Sequence, residues 1–467
     1  MRTRNFTRRM SALCLTLTVA MVTFAQSSIT FTTKREPGTK LKMTISVLGN
    51  GGAEFDGMSG EFKNNEVGEY TVEKQTITIK GEVDIFNCAD CAVTSVDLSN
   101  APALFSFKCE TNNLKELDLH ANTNLKTVYC TGNELQSLDV SMLHELKYLA
   151  CGDNLITELN LENNPNIVEL YCYNNQLDEL NVSNLKSLKK LSCGINRIST
   201  LDVTKNTDMM TLLCHYNLIE ELDLTKNSNL MALALSGNKV SSIDLSKNPY
   251  VMTLHAAELP LTQSLDLSKM SMLEQLYMYG SNLSSLDISH NPNLDELSCS
   301  HNKIESLDII ANKKLRYMWI QDNKLNTTAM QDFMNQLPMR PNSNPGTLIM
   351  KDVLVDDGNE CFAVDVQKAI GKNWKVLQIN DEMTSPYEGI TSGIDLEYAQ
   401  KMICRYEEGV LTVEHAKPNA ALVVYDTGGK MLANGMTNAG GDARMVLPKT
   451  HPGRLMVKVS GCGTVKL

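Results

Sequence analysis

The chain has 467 residues, 42% hydrophobic but only 6% aromatic, and a net charge of −11. That length exceeds one compact core, and the acidic balance excludes nucleic acid as a partner. The charge becomes −15 if Arg2, Arg4, Arg8 and Arg9 leave with the amino-terminal segment, and such a surface keeps a protein soluble.

In chain order, a basic stretch ending at Arg9, an apolar run from Leu13 to Phe24 and Thr23-Phe24-Ala25 before Gln26 predict a cleavable secretory signal over 1–25. The run is too short to span a membrane, and no later segment is long and apolar enough to do so. Cys14 stands at the start of the apolar run and not after it, which argues against a lipoprotein. Over 26–80 the pattern changes to alternating runs, Ile29 to Thr33, Lys40 to Val47 and Thr76 to Lys80, separated by Gly and Asn. These predict a small β cap.

From there Cys88, Cys109, Cys130, Cys151, Cys172, Cys193 and Cys214 stand 21 residues apart. A fixed period of that size means a stacked solenoid, each unit burying its apolar face against its neighbours. Around Cys172 the unit reads Ile167, Leu170, Cys172, Asn175, Leu177, Leu180 and Val182. The frame continues through Leu235, Ala256, Met278, Cys299 and Ile320, with a one-residue insertion near Leu259 to Leu261, giving about twelve rungs over 81–326. Asn112, Asn133, Asn154, Asn175, Asn196, Asn217, Asn238, Asn302 and Asn323 form a second ladder suited to backbone hydrogen bonds at each bend. A third, Asp97, Asp118, Asp139, Asp202, Asp223, Asp244, Asp266, Asp287 and Asp308, faces outward by alternation and serves solvation or turn bonding.

The pattern L-x-x-L-x-C-x-x-N-x-L-x-x-L-D-L resembles the leucine-rich repeat, with cysteine at the second inward position as in internalin-J-like bacterial surface proteins. The expected fold is an α/β or mainly β solenoid, flanked by the N-terminal β cap, an α/β C-cap and a C-terminal β-sandwich-like domain. Equivalent cysteines point in parallel into the core, so the expectation is buried thiols that pack as small hydrophobes. Collinear ligands have no tetrahedral geometry, so no metal and no cofactor are expected. Cys88 and Cys91 make a C-x-x-C, but Cys91 occupies the asparagine position of the first rung.

Over 327–380, Ala329 to Leu337 reads as a helix, Thr347 to Val355 as a strand, and the stretch ending in Gly371-Lys372-Asn373-Trp374-Lys375-Val376 as helix then strand. It resembles the closing cap of surface leucine-rich proteins of Bacteroidetes. Asp352, Asp356 and Asp357 lack the spacing of a calcium loop. After a linker at 381–393, residues 394–467 carry strands at Val410 to Glu414, Ala421 to Tyr425, Lys430 to Leu432, Arg444 to Leu447 and Arg454 to Val459. The stretch from Ala421 to Leu432, with Pro452-Gly453-Arg454 and the terminal Val465-Lys466-Leu467, resembles the sorting domain of type IX secretion, although Leu455 stands where that family usually has an aromatic residue. The resemblance implies the type IX machinery as a partner, passage across the outer membrane, removal of the domain and anchoring to surface lipopolysaccharide. A plain accessory β module is the alternative. Cys404 and Cys462 are candidates for a disulfide in the exported compartment.

In a leucine-rich solenoid the residues beside the inward pair stand outward on the concave sheet. Here they include Tyr129, Tyr148, Tyr171, Tyr173, His215, Tyr216, His255, Tyr277, Tyr279, Tyr317 and Trp319. Such aromatics are enriched at interfaces and stack on sugar rings, although cross-strand pairing that only stabilises the sheet accounts for them too. Ser192, Gly194, Ala234 and Ser236 divide them into two patches. His215 and His255, two rungs apart, are too distant to share a metal. There is no G-x-S-x-G, H-E-x-x-H or phosphate loop, so an enzyme is not expected. The internalin resemblance implies a monomeric surface adhesin for a protein or glycan on host or bacterial cells, for instance in a biofilm. A structural coat protein is the alternative, and a cryptic surface enzyme the third.

Overall fold

The computed structural model describes residues 27–49, 52–381, 383–390, 402–407, 410–426, 431–447, 455–460 and 463–466. Residues 1–26, which include the signal segment, residues 382 and 391–393 of the linker, and Cys462 lie outside the described residues. The chain divides into two compact units, up to Leu135 and from Gln136 onward.

In the first unit Ser28–Thr33 pairs antiparallel with Thr76–Lys80 and with Val93–Asn100, while Lys40–Val47 pairs antiparallel with Val67–Val72 and Val83–Asn87. Alternating burial in Ser28–Thr33 puts Ile29 and Phe31 inside. The cap is thus woven into the first turn, because Val83–Asn87 also pairs parallel with Ser106–Lys108, and that strand with Thr127–Tyr129.

In the second unit nine strands of three residues, from Tyr148–Ala150 to Tyr317–Trp319, stack in parallel. Register is the repeat itself: Leu170 lies beside Leu191, Leu212 and Leu233 in turn. The ladder ends in Gly346–Asp352 and Trp374–Asn380, both parallel to it. The helix Thr327–Gln336, capped by Asn326 Oδ1 accepting the Ala329 N–H at 3.1 Å, buries Met330, Phe333 and Met334. A second helix, Ala363–Gly371, joins the two strands. The fold is mainly β.

Each turn buries its Leu, Val or Ile positions, as at Leu177, Leu180, Val182 and Leu188, together with the cysteine. Cys88, Cys91, Cys109, Cys151, Cys172, Cys193, Cys214, Cys299 and Cys361 carry free, buried thiols, and Cys130 is buried too. Burial pushes the nine free thiols up, to about 12 at Cys151, Cys214 and Cys299, so they are protonated at neutral pH.

The asparagine ladder joins successive turns. Asn175 donates from Nδ2 to the Cys151 and Cys172 carbonyls at 2.9 and 3.2 Å, and its Oδ1 accepts the Ile156 N–H at 2.9 Å. A second, fully buried asparagine column lies at the opposite bend: Asn122, Asn164, Asn206, Asn227, Asn248, Asn291 and Asn312. Each donates to two carbonyls of the preceding turn, as Asn206 does to Val182 and Leu185 at 2.9 and 2.8 Å. Where Leu185 interrupts this column, the adjacent Asn184 supplies the bond to Leu161 O. The outward aspartates close turns: Asp223 Oδ1 accepts the Thr225 N–H and hydroxyl at 2.9 and 2.7 Å, and those bonds hold its carboxyl below the usual range.

The carboxy-terminal module is a sandwich. Ile403–Glu407, Val410–Glu414 and Ala443–Val446 form one antiparallel sheet; Met431–Met436, Ala421–Asp426, Leu455–Val459 and Gly463–Lys466 form the other. Leu411 and Val413 from the first meet Leu422, Val424, Val457 and Val459 from the second in one core.

Asn206→Leu keeps the volume but strands two buried carbonyls, and is expected to cost about 1 to 3 kcal/mol in chemical denaturation. Iodoacetamide is expected to leave the nine named free thiols unmodified in the native protein and to alkylate them all in denaturant, read by mass spectrometry. Labelling of the Cys172 to Cys299 column under native conditions would contradict this packing.

Candidate functional site

The outward face of the parallel sheet is organised in columns, set by position relative to the cysteine. One residue before it come Tyr171, Ser192, Leu213, Ala234, His255, Tyr277, Ser298 and Trp319; one residue after it come Gly152, Tyr173, Gly194, His215, Ser236, Ala257, Tyr279 and Ser300. Tyr148 and Tyr317 stand three residues before it.

Two residues after the cysteine position the backbone turns out of the strand with positive φ. The same conformation recurs at Asp90, Thr111, Gly132, Asp153, Asn174, Ile195, Tyr216, Gly237, Glu258, Gly280, His301 and Asp322. Gly, Asn and Asp tolerate it, but Ile195 at 58° is strained by its β-branch. Tyr216, at 51°, belongs to this column and not to the alternating strand positions.

The small residues are shelves for the rings of neighbouring turns. A Cβ on Gly152 would lie 2.8 Å from the Tyr173 ring, one on Gly194 2.6 Å from the His215 ring, and one on Gly237 2.3 Å from the Tyr216 ring. Tyr216 thereby crosses the Leu235 rung toward Tyr279 and Glu258, which lie within electrostatic reach of its phenol. Tyr279, burial and Glu258 push that phenol up to about 12. The gap that the sequence shows at Ala234 and Ser236 is therefore bridged from Tyr216 to Tyr279.

Beside that bridge, the His255 and Tyr277 rings lie 4.4 Å apart, and the Tyr277 hydroxyl donates to Glu296. Burial, and then the Glu296 carboxylate, raise the Tyr277 pKa. Burial holds both His215 and His255 below the usual imidazole value; at His255 the neighbouring His215 adds to this and Glu296 opposes it. Both imidazoles are neutral at physiological pH. Elsewhere on the sheet Tyr171 donates to Glu169 at 2.8 Å, and Glu169 pairs with Lys190 at 3.1 Å. Tyr317 and Trp319 stack at 6.4 Å, with the Arg316 guanidinium 4.7 Å over Tyr317 and 2.5 Å from Asp295. In the first unit the Lys108 ammonium sits 4.8 Å over Tyr129.

Sequence reasoning on aromatics alone passes over Glu169 and Glu296, which accept from Tyr171 and Tyr277, and over Glu258 near Tyr216. Their signal was position: all three occupy outward columns of rungs that carry or adjoin tyrosines. The interruption of the ladder also lies here. At the rungs of Ala256 and Met278 the asparagine becomes Leu259 and Ser281, and Ser281 Oγ replaces the amide by accepting Leu259 N–H at 3.3 Å and donating to Ala256 O at 3.2 Å. Among the described residues no group of three or more His, Cys, Asp and Glu is arranged to hold a metal ion.

No protein-family model matches this chain, and neither does any curated protein. Among solved structures it is similar to the functional domain of InlJ from Listeria monocytogenes, which includes a cysteine ladder: 21% identity, 85% of this chain and 92% of that one covered, TM-score 0.52. The internalin InlF of Listeria monocytogenes follows at 20% identity, 58% and 80% coverage, TM-score 0.50. The fold is a leucine-rich repeat solenoid of the internalin-like kind. The cysteine column here occupies the inward positions of that solenoid.

Gly237→Ala is expected to displace Tyr216 from Tyr279 and Glu258, bringing its titration down toward 10, read by NMR of ring-labelled tyrosine against pH. An unchanged Tyr216 titration would show that the shelf does not position the ring.

Proposed function

We propose that this chain is an exported surface protein without enzymatic activity, an adhesin that binds a protein or glycan on host or bacterial cells through the outward face of its parallel sheet. The observation that carries the reading is the prearrangement of that face: rings are seated on glycine shelves and phenols are oriented by carboxylates, so little freedom is lost on binding. The signal-like amino terminus and the sandwich that resembles a type IX sorting domain support export and anchoring at the outer membrane. Among the described residues no helix is long and apolar enough to cross a membrane.

The same shelves favour a second reading, a structural coat protein in which ring-over-glycine packing only braces the sheet. The combined variant Tyr171→Ala, Tyr173→Ala, Tyr277→Ala, Trp319→Ala separates them. Adhesion predicts about tenfold or greater loss of cell binding with the far-UV spectrum and unfolding midpoint retained. Full cell binding by a folded variant would exclude the adhesive face, and a large fall in midpoint with no binding by the wild type would favour the coat.

A further inference from the structure

We propose that the sheet face between the Cys214 and Cys299 rungs receives a basic side chain, a lysine or arginine presented by a protein partner. The proposal rests on the adhesive reading of that face and names its ligand chemistry.

The chain shows the arrangement twice with its own cations. Lys108 covers Tyr129, and Arg316 covers Tyr317 while Asp295 holds its guanidinium. A cation over an aromatic face gains from the ring quadrupole, and more where a carboxylate stands beside it. Around Tyr277 and Tyr279 the same two parts recur. Glu296 accepts from Tyr277, and Glu258 lies within electrostatic reach of the Tyr216 phenol, as does Tyr279. His255 lies against Tyr277 as a further flat face. Among the described residues no lysine or arginine forms an ion pair with Glu258 or Glu296; Arg316, within electrostatic reach of Glu296, is engaged by Asp295.

The wider face has the matching sign. Across the outward columns from Tyr148 to Asp352 the acids are Asp153, Glu169, Glu258, Glu296, Asp322 and Asp352, against only Lys190 and Lys351. Lys190 is paired with Glu169 at 3.1 Å and Lys351 lies 3.8 Å from Asp357, so neither offers a free cation to an anionic ligand. Ser236, Ala257 and Ser298 keep the floor between the rings low. Within these columns the balance favours a basic ligand over an anionic one.

The test uses the full chain without its signal segment, immobilised, with polylysine, N-acetylated polylysine and hyaluronan as probes. Glu258→Gln with Glu296→Gln keeps shape and acceptor oxygens; Glu145→Gln with Glu305→Gln makes the same charge change at exposed positions elsewhere. The expected result is polylysine binding that the first pair weakens about tenfold and the second leaves within about twofold, with no binding of the acetylated polymer. Equal loss in both pairs reduces the effect to net charge and overturns the proposal, as does retained binding in the first pair or a preference for hyaluronan. Cell binding separates the levels. If the Gln pair binds cells normally and the four aromatic substitutions abolish binding, only the basic ligand fails. If the aromatic variant also binds cells normally, the adhesive reading fails with it.

Discussion

A coiled chain of this kind has bends whose backbone carbonyls point away from any strand partner, and the fold depends on supplying donors to them in the interior. Two columns of asparagine do so, one at each bend, and both reach from one turn to the turn before it. A primary amide suits this task because it offers two N–H donors on a short stem that fits between stacked turns. The cost of leaving such carbonyls unmet is large compared with the net value of any single bond. The substitutions within the columns follow this demand, since Asn184 serves beside Leu185 and Ser281 stands in beside Leu259.

Once turns are locked at one spacing, every outward position becomes a column with the same backbone conformation. The residue two past the cysteine must turn with positive φ whether it is glycine or not. That fixes where a side chain leaves the sheet, and it makes the small residues of one turn the seats for rings of the next. The aromatic face is therefore an outcome of stacking: Tyr216 reaches Glu258 and Tyr279 only because Gly237 lies flat beneath it. The same dependence ties the face to the region where the repeat departs from its consensus, around the inserted residue near Leu259.

Much of the fold was legible in the repeat. The cysteine period located the strands, the asparagine column and the inward leucines, and the helix of the C-cap appeared within a few residues of Thr327–Gln336. Less visible was the second asparagine column, since Asn122 or Asn206 alternates with Leu143 and Leu185 and looks like one more turn residue. The weaving of Val93–Asn100 into the cap sheet was also hidden, because that segment carries the repeat's own spacing yet pairs with Ser28–Thr33. At the site, the aromatic positions were readable, and Glu169 stands two residues from Tyr171 in the same strand, but Glu296 and Glu258 were not readable, because they meet Tyr277 and Tyr216 from turns 19 and 42 residues away in the chain.

The sequence by itself determined the period, and with it which residues face inward, since a constant repeat admits one register for its apolar positions. It also placed the cysteines of the ladder in the interior, because equivalent positions in a stack are buried together. Only the tertiary structure decided which rings meet which acids. Tyr216 could lie along its own strand or cross a neighbour; the glycine of the next turn and the carboxylate beyond it settle that choice, and their proximity is created by the stacking alone.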